Sequence, residues 1–266
     1  MQAMGIPFCR AVTLARAAGQ EGSALVGHLL LYPSGIPPER WPLPAPACAH
    51  SADAAPHTPV LLLHGLFDNR AVFSRMRRSL ASHGWEHVHA LNYNPITVDL
   101  REAADLLGRH VRHTREVYGG ERVAVVGHSL GGLIARYYVQ RLGGDEHVHT
   151  VVTLATPHEG TLSAHLLHPL PISRQLLPGS GVFQELGAPA PGCTTRFVAF
   201  RGEHDPLILP QRSAALRHPD LWAENVLVLG SGHVTLPVHR TVITQVREVL
   251  TGPQLGVLDG PIRLTA

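Results

Sequence analysis

The stretch Arg122-Val-Ala-Val-Val-Gly127-His128-Ser129-Leu130-Gly131-Gly132 decides the fold. Its first half is a short apolar run, typical of a strand buried on both faces of a parallel sheet. From Leu130 to Tyr138 the apolar residues recur at helical spacing, which predicts a helix. The pattern is therefore strand, tight turn and helix, with Gly-x-Ser-x-Gly at the turn.

A serine in such a turn is suited to nucleophilic catalysis. The residues two positions away must lack bulk, which explains Gly127 and Gly131, and the turn lifts the Ser129 hydroxyl above the sheet edge. That oxygen then lies at a helix N-terminus, where free backbone N–H groups favour developing negative charge. The alternative, a glycine-rich turn with an incidental capping serine, is disfavoured by the strand and helix on either side.

Strands alternate with helices on both sides of this stretch. Further strands are predicted at 59–63, 87–93, 148–155, 196–200 and 225–229, and further helices at 72–80, 97–111 and 237–250. This alternation predicts the α/β class, with a mostly parallel central sheet and helices on both faces. In such sheets the chemistry lies at the C-terminal ends of the strands.

Composition excludes several kinds of chemistry. The chain has 266 residues, 22 basic and 20 acidic, with a formal net charge of +2. None of the basic residues is lysine, which excludes Schiff-base catalysis, phosphate-binding loops ending in lysine and Ser–Lys hydrolysis. A net charge so near zero gives no nucleic-acid footprint, so no nucleic-acid partner is predicted.

At the serine turn the chain resembles the α/β-hydrolases, and more narrowly the bacterial lipases and esterases. The matching segments are Leu63-His64-Gly65-Leu66-Phe67, Gly127-His128-Ser129-Leu130-Gly131-Gly132 and Leu154-Ala155-Thr156-Pro157-His158-Glu159-Gly160-Thr161. Glu159 replaces a small or neutral residue of that family's pattern. The resemblance implies an α/β-hydrolase fold over residues 59–251 and a serine hydrolase activity.

It also implies the partners of Ser129. In this fold the acid and then the histidine follow the serine along the chain. Asp205 matches the acid, with Glu203 as a competitor, and His233 matches the base, on a glycine-rich loop after the last strand. The oxyanion donors would be the backbone N–H groups of Leu66 and Leu130.

The predicted hydrolase domain is flanked by two further segments and contains one predicted insertion. Residues 1–58 are predicted to be an N-terminal helical segment followed by a proline-rich arm, and residues 252–266 a C-terminal tail. Residues 157–192, rich in Pro, Gly and Leu, are predicted to be a lid or cap insertion, with a packed subdomain as the alternative. The apolar stretch 24–32 is too short to span a bilayer and could be a helix lying on the fold or on a partner.

The predicted function is carboxylic ester hydrolysis, on lipid-like acyl esters, through an acyl-enzyme on Ser129. Phe67, His128, Leu162 and Leu166 are the candidate substrate-binding residues. An acyltransferase, a thioesterase or an amidase would use the same three residues, and a non-enzymatic binding module is disfavoured by their intact order. Dehalogenases and epoxide hydrolases need an Asp in place of Ser129.

No cofactor and no metal are predicted. The chain has 19 histidines, and the pairs 87/89 and 147/149 alternate along strands as metal ligands can, but strand ends near solvent are the favoured interpretation. A small-molecule or lipid ester is the expected partner, with transient contact to a lipid surface, and the sequence does not fix the oligomeric state. The absence of a signal-peptide pattern near the N-terminus favours a cytoplasmic location.

Overall fold

The structure, a computed structural model, describes residues 5–36, 57–94, 99–252 and 262–263. Within these ranges seven strands form one parallel sheet: β1 (Val60–Leu63), β2 (Val88–Leu91), β3 (Val123–His128), β4 (Val148–Leu154), β5 (Arg196–Gly202), β6 (Trp222–Leu229) and β7 (Ile262–Arg263). The predicted α/β class with a parallel sheet is thus confirmed. Most of the predicted proline-rich arm, residues 37–56, lies outside the described residues.

The order of the strands places the loops after β1 and β3 side by side. The sheet runs β2-β1-β3-β4-β5-β6-β7, so the chain leaves β1 toward one edge and returns on the other side of β1. Leu63 at the end of β1 pairs in register with Gly127 near the end of β3. In parallel sheets the crevice at such a reversal, beyond the carboxyl ends of the strands, is the usual ligand site.

Alternate strand residues face two hydrophobic cores, one on each side of the sheet. In β1, Leu61 and Leu63 join one core, while Val60 and Leu62 join the other. All four are almost fully buried, as expected for a strand covered on both faces.

The helices are α1 (Gly5–Gly35), α2 (Ser74–Ala81), α3 (Leu100–Val117), α4 (Leu130–Arg141), α5 (Pro171–Leu176), α6 (Gly181–Gly187) and α7 (Arg240–Thr251), with 3₁₀ turns at Arg70–Phe73, Gly144–Glu146, Leu162–Leu167 and Gln211–Ala214. Helices α3 and α4 cover one face of the sheet, while α2 and α7 cover the other. In the described part of the chain, no helix combines the length and the apolar character needed to cross a membrane.

Two details differ from the predicted elements. The helix predicted at 72–80 begins with the 3₁₀ turn Arg70–Phe73 before α2 starts at Ser74. The segment predicted as a loose tail contains β7, whose Ile262 pairs with Val228 of β6. A strand of two residues is too short to carry a readable alternation, since it depends on pairing with a neighbour.

In the segment 157–192, which the sequence predicts to be a lid or cap insertion, helices α5 and α6 pack against the body of the fold. Ile172, Leu176, Val182 and Leu186 are buried in the same core as α3 and α4. Its 3₁₀ turn, Leu162–Leu167, is instead largely exposed. The segment is therefore anchored to the body at one end and lies close to the carboxyl edge of the sheet at the other.

Candidate active site

Ser129 lies in a strained turn between β3 and α4. Its φ is 51° and its ψ is −117°, a conformation that residues with a side chain rarely adopt. Its backbone N–H donates to the Leu154 carbonyl at 2.8 Å, and its carbonyl accepts from the Thr156 hydroxyl at 3.0 Å. Backbone strain of this kind persists only where neighbouring structure imposes it, and it is concentrated at functional sites.

The glycines around Ser129 are required by close backbone contacts. A Cβ on Gly127 would lie 2.4 Å from the backbone N of Gly132, and one on Gly131 would lie 2.3 Å from the Leu63 carbonyl oxygen. Neither neighbour is a flexible side chain that could move aside. The small residues expected on either side of the serine are therefore needed by the backbone geometry itself.

Asp205 and His233 are brought together although 28 positions separate them in the chain. The loop after β5 carries Asp205 and the loop after β6 carries His233, and His233 Nδ1 lies 2.8 Å from Asp205 Oδ2. The other carboxylate oxygen of Asp205 accepts from the backbone N–H groups of Leu207 and Ile208 at 2.8 and 3.1 Å. Both oxygens of this carboxylate, which is 2% exposed, therefore have donors.

The competing acid, Glu203, points elsewhere. Its Oε2 accepts from the backbone N–H of Gly230 at 2.9 Å and lies 3.6 Å from His204 Nε2. Of the two candidate carboxylates, only Asp205 is hydrogen-bonded to His233 in the described structure.

The surroundings of His233 favour its charged form. Burial alone would lower the pKa of His233, but the charge and hydrogen bond of Asp205, assisted by Glu21 and Asp68, raise this pKa above its ordinary value. An imidazole in this environment is a stronger base than one in water, and a neighbouring carboxylate stabilises the imidazolium that forms on proton uptake.

The two loops at the sheet reversal supply the candidate oxyanion donors. Leu130 is the first residue of α4, so its backbone N–H has no partner within the helix. Leu66 follows β1 and borders the same cavity as Ser129, and the next residue, Phe67, has a φ of 63°. His64 contacts this loop and packs against Tyr93. Its Nδ1 lies 2.8 Å from the Gly65 carbonyl oxygen, and its ring stacks on that of Tyr93 at a centroid distance of 4.4 Å.

Ser129 and His233 both line a cavity of about 330 Å³. Most of its lining side chains are apolar, and they come from α1, from the loops after β1 and β3, from the 157–192 insertion and from residues 207–208 and 233–234: Leu25, Leu29, Tyr32, Leu66, Phe67, Leu130, Pro157, Leu166, Leu167, Leu176, Leu207, Ile208 and Val234. An apolar cavity with a few convergent polar groups is the usual form of a small-molecule site.

The structure places three of the four predicted substrate-binding residues on this cavity. Phe67, His128 and Leu166 line it. Leu162 does not belong to the lining: its backbone N–H donates to the Leu209 carbonyl at 2.8 Å, and its side chain is half exposed at the start of the 3₁₀ turn. A turn with three residues per revolution separates Leu162 from the cavity-lining face, which sequence spacing alone does not reveal.

Sequence reasoning missed a polar group beside Ser129. Asp68 and Asn69 are both candidates for capping the helix that follows, and Asn69 does so by accepting from the Ala71 N–H. Asp68 instead lies between two imidazoles, 3.4 Å from His28 Nδ1 and 3.5 Å from His128 Nδ1. Burial alone would raise the pKa of Asp68, but these histidines hold it well below its usual range, so Asp68 is ionised.

His128 lies between Asp68 and the loop that carries His233. Its Nε2 lies 3.3 Å from the His233 carbonyl oxygen, and the two rings have centroids 5.0 Å apart. Its side chain borders the cavity although it is only 2% exposed. The one sequence signal for Asp68 is an acidic residue three positions after Gly65, in a loop already predicted to face the site.

Comparison with known proteins supports the fold described above. A family model described as the alpha/beta hydrolase fold matches residues 58–170, from β1 to the insertion, including the serine turn and the loop after β1. The chain has the α/β-hydrolase fold.

Several solved lipase structures are similar over most of the chain. A lipase of Bacillus licheniformis in its mature form superposes with a TM-score of 0.62 at 16% identity, over 82% of this chain and 97% of that one. Aspergillus fumigatus lipase B gives 0.65 at 16% identity, over 77% and 54%, respectively. A monoacylglycerol lipase of Paleococcus ferrophilus gives 0.51 at 16% identity, over 72% and 96%. At such identities the likeness shows a shared α/β-hydrolase fold.

Proposed function

We propose that this α/β-hydrolase is a carboxylic ester hydrolase that acts on acyl esters through a covalent acyl-enzyme. The observation that carries the proposal is the meeting of a strained serine turn with the His233–Asp205 pair on one apolar cavity. A nucleophile, a base and an acid that orients the base are the minimum set for this chemistry.

The reaction begins with proton transfer from Ser129 to His233. As His233 Nε2 takes the hydroxyl proton, Ser129 Oγ attacks the ester carbonyl carbon, and the carbonyl π electrons move to the oxygen. The tetrahedral intermediate collapses, the bond to the alcohol oxygen breaks, and His233 returns the proton to that oxygen. Water then repeats the sequence on the acyl-enzyme and releases the carboxylic acid.

Asp205 and the two loop amides stabilise the charges that develop. Asp205 orients the imidazole through Nδ1, and its negative charge stabilises the imidazolium. Two backbone N–H groups bind the second oxygen of Asp205 and so hold the carboxylate in place. The N–H groups of Leu66 and Leu130 would donate to the oxyanion, and losing one such donor typically costs about 2.7–4 kcal/mol of barrier.

The cavity favours an aliphatic acyl group as the substrate portion bound beside Ser129. Leucines from five separate parts of the chain line it: α1, the loop after β1, the start of α4, the segment 157–192 and the loop after β5. Apolar burial stabilises an alkyl chain by about 0.8 kcal/mol per methylene group. Among the similar solved structures, those named lipase and monoacylglycerol lipase agree with this choice.

A series of p-nitrophenyl esters tests the function. The purified full chain should hydrolyse these esters with a rapid initial release of nitrophenol, and kcat/KM should rise from acetate to medium chains because each added methylene is buried. Failure to turn over an ester of any length would refute the esterase proposal. A maximum at acetate would leave the esterase intact but refute the lipid-like substrate.

Enlarging a cavity-lining leucine should shorten the accepted chain. Leu167 lines the cavity from the 3₁₀ turn, and Leu162 of the same turn does not, so the two provide a matched pair. Leu167→Trp should lower kcat/KM for the decanoate ester at least about tenfold, since excluding two methylenes costs about 1.6 kcal/mol. The acetate ester should change less than about twofold. Equal chain-length profiles for Leu167→Trp and Leu162→Trp would contradict the assignment of this wall.

A further inference from the structure

The N-terminal helix α1 lies against the active site. Leu25, His28, Leu29 and Tyr32 of α1 line the cavity, and of these His28 is buried. Ala17 of the same helix is also buried. The sequence left open whether this helix lies on the fold or on a partner. In the structure it packs on the fold.

Glu21 on α1 binds the backbone directly after His233. Its Oε2 accepts from the N–H of Val234 at 2.9 Å, and its Oε1 accepts from the N–H of Thr235 at 2.8 Å. Hydrogen bonds to an ionised acceptor are stronger than those between neutral groups, and two from consecutive amides fix both the position and the orientation of the loop. The contact joins parts of the chain more than 200 positions apart.

The glycine before His233 makes room for this carboxylate. A Cβ on Gly232 would lie 2.4 Å from Glu21 Cδ and 2.5 Å from Glu21 Cγ. A side chain at position 232 would therefore displace Glu21 from the loop. The glycine-rich loop expected of the base is thus also shaped to receive a residue from α1.

The rest of α1 has separate anchors. His28 lies 3.4 Å from Asp68, and the Asn69 amide donates to the Tyr32 carbonyl at 2.8 Å. The Asn92 amide donates to the Gly35 carbonyl at 2.7 Å. Because these contacts do not involve Glu21, removing its carboxylate should leave the C-terminal half of the helix in place.

From this arrangement we propose that Glu21 is a positioning residue for His233. By holding the amides of Val234 and Thr235, it fixes the loop that aims the imidazole toward Ser129, and it makes the N-terminal helix part of the active site. This inference rests on the proposed ester hydrolysis, since it assigns His233 the role of base.

The charge of Glu21 also acts on the imidazole. The titratable groups facing His233 are Asp205 from the loop after β5, Glu21 from α1, Asp68 from the loop after β1, and His128 from the serine turn. Glu21 is one of the carboxylates that raise the pKa of His233, so removing its charge should lower this pKa. Because the base must be neutral to accept a proton, the acid limb of kcat/KM should then move to lower pH.

Glu21→Gln is the direct test, measured as kcat per active site counted by the nitrophenol burst. We expect kcat to fall by roughly 10- to 100-fold, as for a small displacement of a catalytic group, with KM changed less than about twofold and the acid limb shifted to lower pH. Gln20→Ala is the matched control, because Gln20 is adjacent to Glu21 in α1. Gln20 lines a separate surface groove that does not include Ser129 or His233. This variant should behave as the unaltered chain.

A second variant distinguishes the loss of the Glu21 contact from a general loss of protein stability. Gly232→Ala should displace the carboxylate and lower kcat, but it should add little in the Glu21→Gln background, because the contact is already lost there. Additive losses, or a Glu21→Gln enzyme with unchanged kcat and pH profile, would overturn the proposal. Absence of ester turnover in the unaltered chain would instead count against the proposed function, so the two failures are distinguishable.

Discussion

Ser129→Ala is expected to lower kcat for ester hydrolysis by about 10⁶-fold, because no covalent intermediate can form without the hydroxyl. A residual rate above that of water should remain, since the Leu66 and Leu130 amides would still stabilise an oxyanion formed by direct attack of water. The same variant should lose labelling by an alkyl fluorophosphonate, which reacts with an activated serine. Both are read on the purified full chain, by initial rates and by mass spectrometry of the labelled peptide.

Ser163→Ala is the matched control for this experiment. Ser163 lines the same cavity, but its hydroxyl is hydrogen-bonded to the Leu207 carbonyl, and it lies on an ordinary 3₁₀ turn without the strain of Ser129. This variant should keep both its rate and its labelling. If labelling survived in Ser129→Ala and was lost in Ser163→Ala, the nucleophile would be misassigned and the proposed mechanism would fail.

The backbone of the site could be predicted from the sequence because its signals are local. A buried strand, two glycines and a helix must surround Ser129 for the turn to form, and the clashes that a Cβ would make at Gly127 or Gly131 show why no other residue type serves. The order of Ser129, Asp205 and His233 follows from the order of the strands whose ends carry them. The alternation of apolar strand segments with helical patterns was therefore enough to predict the parallel sheet.

What could not be predicted depends on contacts between distant segments. Glu21 reaches the loop of His233 only because α1 folds back over the carboxyl edge of the sheet, and no pattern around residue 21 indicates this. Asp68 resembles a helix cap until His28 and His128 are found on either side of it. Leu162 and Leu167 are equally apolar in sequence, and only the orientation of the 3₁₀ turn separates the residue outside the cavity from the one lining it.

Asp205→Asn is expected to lower kcat by about 10⁴-fold while leaving Ser129 and the cavity in place. An amide can donate to His233 Nδ1 and thereby favour the tautomer that carries its proton on Nε2, which cannot accept the serine proton. The buried imidazolium would also lose the charge that stabilises it. Initial rates with a medium-chain p-nitrophenyl ester would give the size of the loss.

The pH dependence separates this role of Asp205 from a loss of folding. Burial lowers the pKa of His233 and Asp205 is the first of the groups that raise it, so without this charge the pKa should fall. The acid limb of kcat/KM should accordingly move from above the ordinary histidine value, about 6.5, to lower pH. Glu203→Gln is the control, because Glu203 is the nearest alternative acid in the sequence but is bonded to the Gly230 amide. A larger loss in Glu203→Gln than in Asp205→Asn would reassign the acid, whereas an unchanged acid limb in Asp205→Asn would show that His233 does not depend on this carboxylate.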